Sequence, residues 1–335
     1  MRSNGALRLS SPDVPARELE DELEVAVLTT IAYFDVHACA PAAREVHRFL
    51  VGRAASLEAV EGALERLRAR GAVETSAGLW SFGGKLHLVP RRIRFLEHSR
   101  RLWPEAKKIA NIIERTGLAT AGFITGSLAA DNADEHADID FLFTYPPERT
   151  WTSFALVRLT AKLPGLTRCC ANYAMPENNL AILPQNLFTA WELAKAVPMF
   201  GFDVHERLLL ANSWVTSYLP NAFPSRPVNL PARTDPDWVR TLTHSKLFQS
   251  VERVEKSRKF DRERRDVGVD MSTREREGRS DRHSPVRSSF VLSELHFRMS
   301  TLGLSRHPIF PELREACTQL TLELTEWAGD PIPAP

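Results

Sequence analysis

The sequence predicts a mixed α+β protein of more than one unit, and three observations carry that reading. Apolar residues recur at helical spacing through the first 70 or so positions and end in a hairpin signal. From Ala119 onward, short apolar runs of strand character alternate with helical ones. The length of 335 residues, at roughly 100 to 200 per domain, leaves room for two or three domains. Hydrophobic residues at 43% and charged residues at 25% match an ordinary globular chain with a sizeable core, which excludes a wholly disordered or collagen-like one. Lys and Arg number 43 against 42 Asp and Glu, a net of +1, so any affinity for nucleic acid or anionic membrane must be local. Charges with Pro12 and Pro15 stand where a signal peptide needs an apolar core, and no run approaches the ~18 apolar residues of a membrane helix. A cytoplasmic protein without a membrane segment is expected. Cys39, Cys169, Cys170 and Cys317 form no CxxC pair and read as reduced, small hydrophobes.

Residues 1–17 read as a loose tail, with order beginning near Glu18. Leu23, Val25, Val27, Leu28, Ile31 and Phe34 predict a first helix, and Val46, Phe49 and Leu50 after Pro41 a second, short one. The third opens at Ser56, a good N-cap, carries Leu57, Val60, Leu64 and Leu67 on one face, and stops at Gly71. Residues 72–75 and 79–82 then flank a short Ser-Ala-Gly turn. Three helices and a hairpin within residues 18–88 resemble a winged helix-turn-helix domain. The third helix, however, turns Glu58, Glu61 and Glu65 outward, where phosphates would repel them, while Arg66, Arg68 and Arg70 sit at its C-terminus, where the helix dipole alone favours cations. A packing or protein-contact module is therefore expected, not a specific DNA reader.

Between Lys85 and Lys108 eight cations face two acids, Glu97 and Glu105. Helices broken near Pro104 are expected here, with the cations on solvated faces. The alternative is a positive rim that receives a polyphosphate or an RNA acceptor.

Residues 119–143, ATAGFITGSLAADNADEHADIDFLF, hold the most chemistry. One strand ends at Gly126-Ser127 and a second begins near Asp138. Alternation along a strand turns Asp138 and Asp140 to one side and Ile139 into the core, so that both carboxylates reach one metal site. Oxygen ligands of this kind suit Mg²⁺, or Mn²⁺, with waters and nucleotide phosphates completing the shell. Gly126 permits close backbone approach to a ligand, and Ser127 offers a hydroxyl and amides to phosphate oxygens.

Gly-Ser, ten intervening residues, Asp-x-Asp and the triplet Phe141-Leu142-Phe143 together resemble the signature of the DNA polymerase β-like nucleotidyltransferase superfamily. The resemblance implies a mixed sheet flanked by helices, a triphosphate held at Gly126 and Ser127, and one or two divalent ions on Asp138 and Asp140. Ala137 replaces a residue that is often polar in the family. A helix over 150–163, a strand over 168–175 and a further short strand over 179–183 are expected to follow. The runs NLFTAWELAKAVPMFG and HERLLLANSWVTSYLPN are similar to an uncharacterised bacterial branch, which places the nucleotidyltransferase domain at 89–221, with a weaker echo at 290–297. That branch tends to carry a third acid where Ala181 stands, and an alanine binds no metal. Glu177 is the candidate substitute, although a polar residue in a turn also reads simply as solvated.

Residues 222–330 read as a mainly helical region with a charged, mobile insertion at 252–284. Residues 252–282 hold eleven Lys or Arg and nine Asp or Glu, and that near balance favours a solvated linker over an RNA-contacting arm. Order is expected to return at Phe290, and Pro311–Trp327 has helical spacing before a Pro-rich end. The leading expectation is a Mg²⁺-dependent nucleotidyltransferase that moves a nucleoside monophosphate from an NTP to an RNA, protein or small-molecule acceptor. Two others stand beside it: a weak or inactive nucleotidyltransferase-fold protein that binds or regulates, and a transcription regulator led by the N-terminal module.

Overall fold

The computed structural model describes residues 21–223, 246–267, 280–281 and 285–318. The expected N-terminal tail, the loop after Asp266 up to residue 279 and the end of the C-terminal helix lie outside the described residues. The described chain divides into two compact units: residues 21–92, 216–223 and 289–318, and residues 93–215, 246–267, 280–281 and 285–288. The described residues of the 222–330 region, expected to be mainly helical, contribute to both units.

In the first unit, α1 (Glu22–Val36), α2 (Ala43–Arg48) and α3 (Leu57–Ala69) precede an antiparallel hairpin of β1 (Val73–Ser76) and β2 (Leu79–Phe82). Ser56 caps α3 by accepting the Ala59 N–H at 3.2 Å, and Gly71 takes a left-handed φ of 74° that stops it. The two turn residues, Ala77 and Gly78, both have positive φ, the geometry whose twist suits a two-residue hairpin. Val60, Leu64 and Leu67 are fully buried while Glu58, Glu61 and Glu65 are exposed, as the helical pattern requires. The cations at the end of α3 have internal partners. Arg66 and Arg70 both hold the buried carboxylate of Glu24, and Arg68 pairs with Glu65.

α4 (Leu88–Thr116) runs unbroken through Pro104. The expected break is absent because Pro104 lies on the exposed side, while Leu102, Ala106, Ile109, Ala110 and Ile113 keep one apolar face packed across it. Part of the basic stretch is interior. Arg92 is 1% exposed and donates to Glu45 at 2.6 Å, and Lys85 pairs at 2.8 Å with the buried Asp35.

The second unit is a mixed five-stranded sheet with helices on it. In chain order it contains β3 (Ala121–Ile124), α5 (Gly126–Ala129), β4 (Ile139–Tyr145), α6 (Thr150–Thr160), β5 (Cys169–Pro176), α7 (Leu187–Lys195), β6 (Val197–Phe200) and α8 (Phe202–Ala211). α10 (Lys246–Val267) and β7 (Ser280–Asp281) follow in this unit, while the short α9 (Val215–Tyr218) and α11 (Pro285–Thr301) fall mostly in the first. The strand order is β6-β3-β4-β5-β7, with β4–β5 the one parallel pair among the described residues and α6 as its crossover. Phe141, Phe143 and Tyr145 project from one face of β4 into a core shared with α4 and α6, where Phe141 and Phe143 stack at 4.9 Å.

Two expectations change in this unit. Residues 179–183 form no strand: the Asn212 side chain donates to Leu180 O and accepts from Ile182 N–H, both at 2.7 Å, and so satisfies the backbone as a strand partner would. α10 is not simply a solvated arm. Its Glu252 carboxylate accepts the Trp151 and Thr152 N–H groups, at 2.7 and 2.6 Å, in the first turn of α6.

In the first unit the chain returns with α11 and a helical stretch at 310–318. Arg298 of α11 joins Lys85 on Asp35, also at 2.8 Å. His307 is buried, and its Nδ1 accepts the Ile309 N–H at 3.2 Å. Among the described residues no helix is long and apolar enough to cross a membrane.

Candidate functional site

β3 and β4 are antiparallel, and their ladder closes where Thr125 N–H donates to Asp140 O at 2.9 Å. The next residue, Gly126, therefore lies beside the start of β4. Its φ is +65°, and a Cβ built there would stand 2.9 Å from Asp140 Cγ and closer still to Oδ2. Only glycine leaves room for that carboxylate. Ser127 follows in the single turn of α5 and is half-buried. Asn132 N–H donates to Ser127 O and Asp131 N–H to Leu128 O, each at 2.9 Å, and fold the segment back toward β4. Asp131 itself has a φ of +47° and accepts the Trp103 indole N–H at 2.8 Å.

Asp138, Ile139 and Asp140 show the burial that alternation predicts: exposed, fully buried and half-buried. The sequence-derived residues Gly126, Ser127, Asp138 and Asp140 are thus gathered at one end of β4. Glu177 is not among them. Its N–H donates to Tyr145 O, at the opposite end of β4, roughly 16 Å along the strand from Asp140 at about 3.3 Å per residue, and its carboxylate faces Arg207 at 3.4 Å. Ala181 is exposed in the segment held by Asn212 and belongs to no strand. On β5 the residue in register with Asp140 is Cys170, so the neighbouring strand offers no acid there. Its neighbour Cys169 is in register with the buried Ile139, and burial pushes its thiol up to about 12, with Cys170 adding to the shift. With no metal bound, that thiol stays protonated at neutral pH.

Among the described residues, no three His, Cys, Asp or Glu side chains converge on one metal position. Two carboxylates do not form an all-protein cage, but they do suit Mg²⁺ or Mn²⁺, which keep waters and take phosphate oxygens from a substrate. Arg168 is the residue here that motif reading passes over. It stands one position before β5, and its guanidinium donates to Ala137 O at 3.3 Å and Glu135 O at 3.4 Å, on the loop that carries Asp138. Nothing in its local sequence marks it, because the strand pairing alone brings it there.

No protein-family model, curated protein or solved structure matches the chain.

Proposed function

We propose that the second unit is a divalent-dependent nucleotide site of the nucleotidyltransferase kind, with Asp138 and Asp140 as the metal-holding carboxylates and Gly126 and Ser127 as the triphosphate contacts. The observation that carries this reading is the seating of the Asp140 carboxylate against Gly126, which joins the two halves of the motif across fourteen positions of sequence. A side chain-free, positive-φ residue lets backbone and phosphate come together beside an acid. The first amides of a helical turn lack intrahelical acceptors and suit phosphate oxygens, and Ser127 adds a hydroxyl. A bound Mg²⁺ or Mn²⁺ supplies the charge neutralisation that two carboxylates and a triphosphate would otherwise lack. The acceptor in this reading is an RNA, a protein or a small molecule.

A second reading, a site that binds nucleotide but transfers slowly or not at all, is favoured by the position of Glu177 at the far end of β4 and by Cys170 in register with Asp140. A second ion beside an attacking oxygen generally calls for a further anionic ligand. One experiment addresses both readings. Purified protein is incubated with each labelled NTP, Mg²⁺ or Mn²⁺, and total cellular RNA or protein. Labelled product supports transfer, metal-dependent retention of nucleotide without product supports the binder, and neither result would reject the site.

A further inference from the structure

We infer that Arg168 is the positioning residue of this site, holding Asp138 in place from both sides; the inference rests on the metal-site reading above. Asp138 is exposed and precedes the first residue of β4, so no ladder bond of its own fixes it. Arg168 supplies what the ladder does not. On the N-terminal side of Asp138 its guanidinium grips the carbonyls of Glu135 and Ala137, at 3.4 and 3.3 Å. On the C-terminal side its own carbonyl accepts the Ile139 N–H at 2.8 Å. One residue therefore ties the chain at three positions and one position before Asp138, and at Ile139 immediately after it, with Asp138 enclosed between.

The fork geometry matters more than the charge. Two N–H groups of one plane meet two carbonyls of one loop, an arrangement that the single ammonium of lysine does not reproduce. The nearest carboxylate partner of the guanidinium, Glu105, lies at 4.0 Å, and the side chain is 40% exposed, so the ion pair is the weaker tie. A mobile aspartate would lose entropy on metal binding, and Arg168 removes part of that cost beforehand.

The test is titration of the full chain with Mn²⁺ alone, free ion being followed by electron paramagnetic resonance, with urea unfolding of each variant alongside. Arg168→Met and Arg168→Lys should each weaken Mn²⁺ affinity about tenfold, the usual cost of removing a group that orients a metal ligand. In an Asp138→Asn background, Arg168→Met should add nothing, because it acts through Asp138. Arg168→Lys keeps the charge and the surface, so it carries the test even where Arg168→Met does not fold. Full Mn²⁺ affinity in Arg168→Lys overturns the clamp. So does an undiminished effect of Arg168→Met in the Asp138→Asn background, which would make its role general to the fold. Mn²⁺ binding that is absent from the parent chain, or unchanged in Asp138→Asn with Asp140→Asn, rejects the metal site itself and the clamp with it.

Discussion

The carboxylate of Asp140 occupies the space that any side chain at residue 126 would need. The two residues are joined by geometry, since the last rung of the β3–β4 ladder sets Thr125 against Asp140 and Gly126 must then turn away at positive φ. A change at either position is felt at the other.

Gly126→Ala should therefore damage the site more than the fold. The left-handed φ costs an alanine about 1 to 2 kcal/mol, and its methyl group displaces the Asp140 carboxylate. The expected outcome is a modest fall in the urea midpoint together with loss of metal-dependent nucleotide binding. Unchanged binding in Gly126→Ala would show that Asp140 takes no part in it.

Asp138→Asn combined with Asp140→Asn keeps the shapes and removes the charge that attracts a divalent ion. Nucleotide retention should become independent of Mg²⁺, with far-ultraviolet circular dichroism unaltered. Calorimetry with and without Mg²⁺ measures this directly.

Glu252→Ala should destabilise the second unit by about 1 kcal/mol, the typical cost of deleting a carboxylate or hydroxyl that caps a helix. Two α6 amides lose their acceptor at once, and α10 loses a tie to α6. A urea midpoint equal to that of the parent would mean that water replaces Glu252 without cost. By the same reasoning, a Gly/Ser linker in place of residues 252–267 should lower the midpoint too.

Burial holds the His307 pKa below its ordinary 6.5, and accepting the Ile309 N–H at Nδ1 requires that nitrogen to be unprotonated. The sign follows from linkage. Well above pH 6.5 the folded and unfolded chains both hold neutral His307, and its contribution is fully present. As pH falls from there through the lower folded pKa, the unfolded chain takes up the proton first and stability is lost. His205 and His296 shift in the same direction, also mainly through burial. The urea midpoint should drop between about pH 7.5 and about pH 5, and His307→Gln should flatten part of that slope.

The parts of the fold legible in sequence are those fixed by neighbours in the chain. Ser56 and Gly71 bound α3 because a cap and a left-handed stop are local devices. Gly126 and Asp140 could be paired because one hairpin connects them. What escaped depends on distant partners. Residues 179–183 have the apolar content of a strand, yet Asn212, some thirty positions on, supplies their hydrogen bonds. Glu252 looks like one charge among many until α6 is seen to lack an acceptor. Ala181 reads as a third-acid position only if 179–183 is a strand, which it is not; Glu177, a turn residue in sequence, follows β5 at the far end of β4, and Arg168 reaches the Asp138 loop only through the pairing of β4 with β5.

The remote cap on α6 also bears on how the chain is made. Thr152 and Glu252 are 100 residues apart, so at about 5 to 20 residues per second the ribosome needs roughly 5 to 20 seconds to deliver the carboxylate after the helix has emerged. Until then the nascent crossover between β4 and β5 carries two first-turn amides that only water can satisfy. A chain stalled before residue 252 would hold α6 without the Glu252 carboxylate on its first-turn amides, although β3, β5 and Arg168, which hold the Asp138–Asp140 segment, would already have been made.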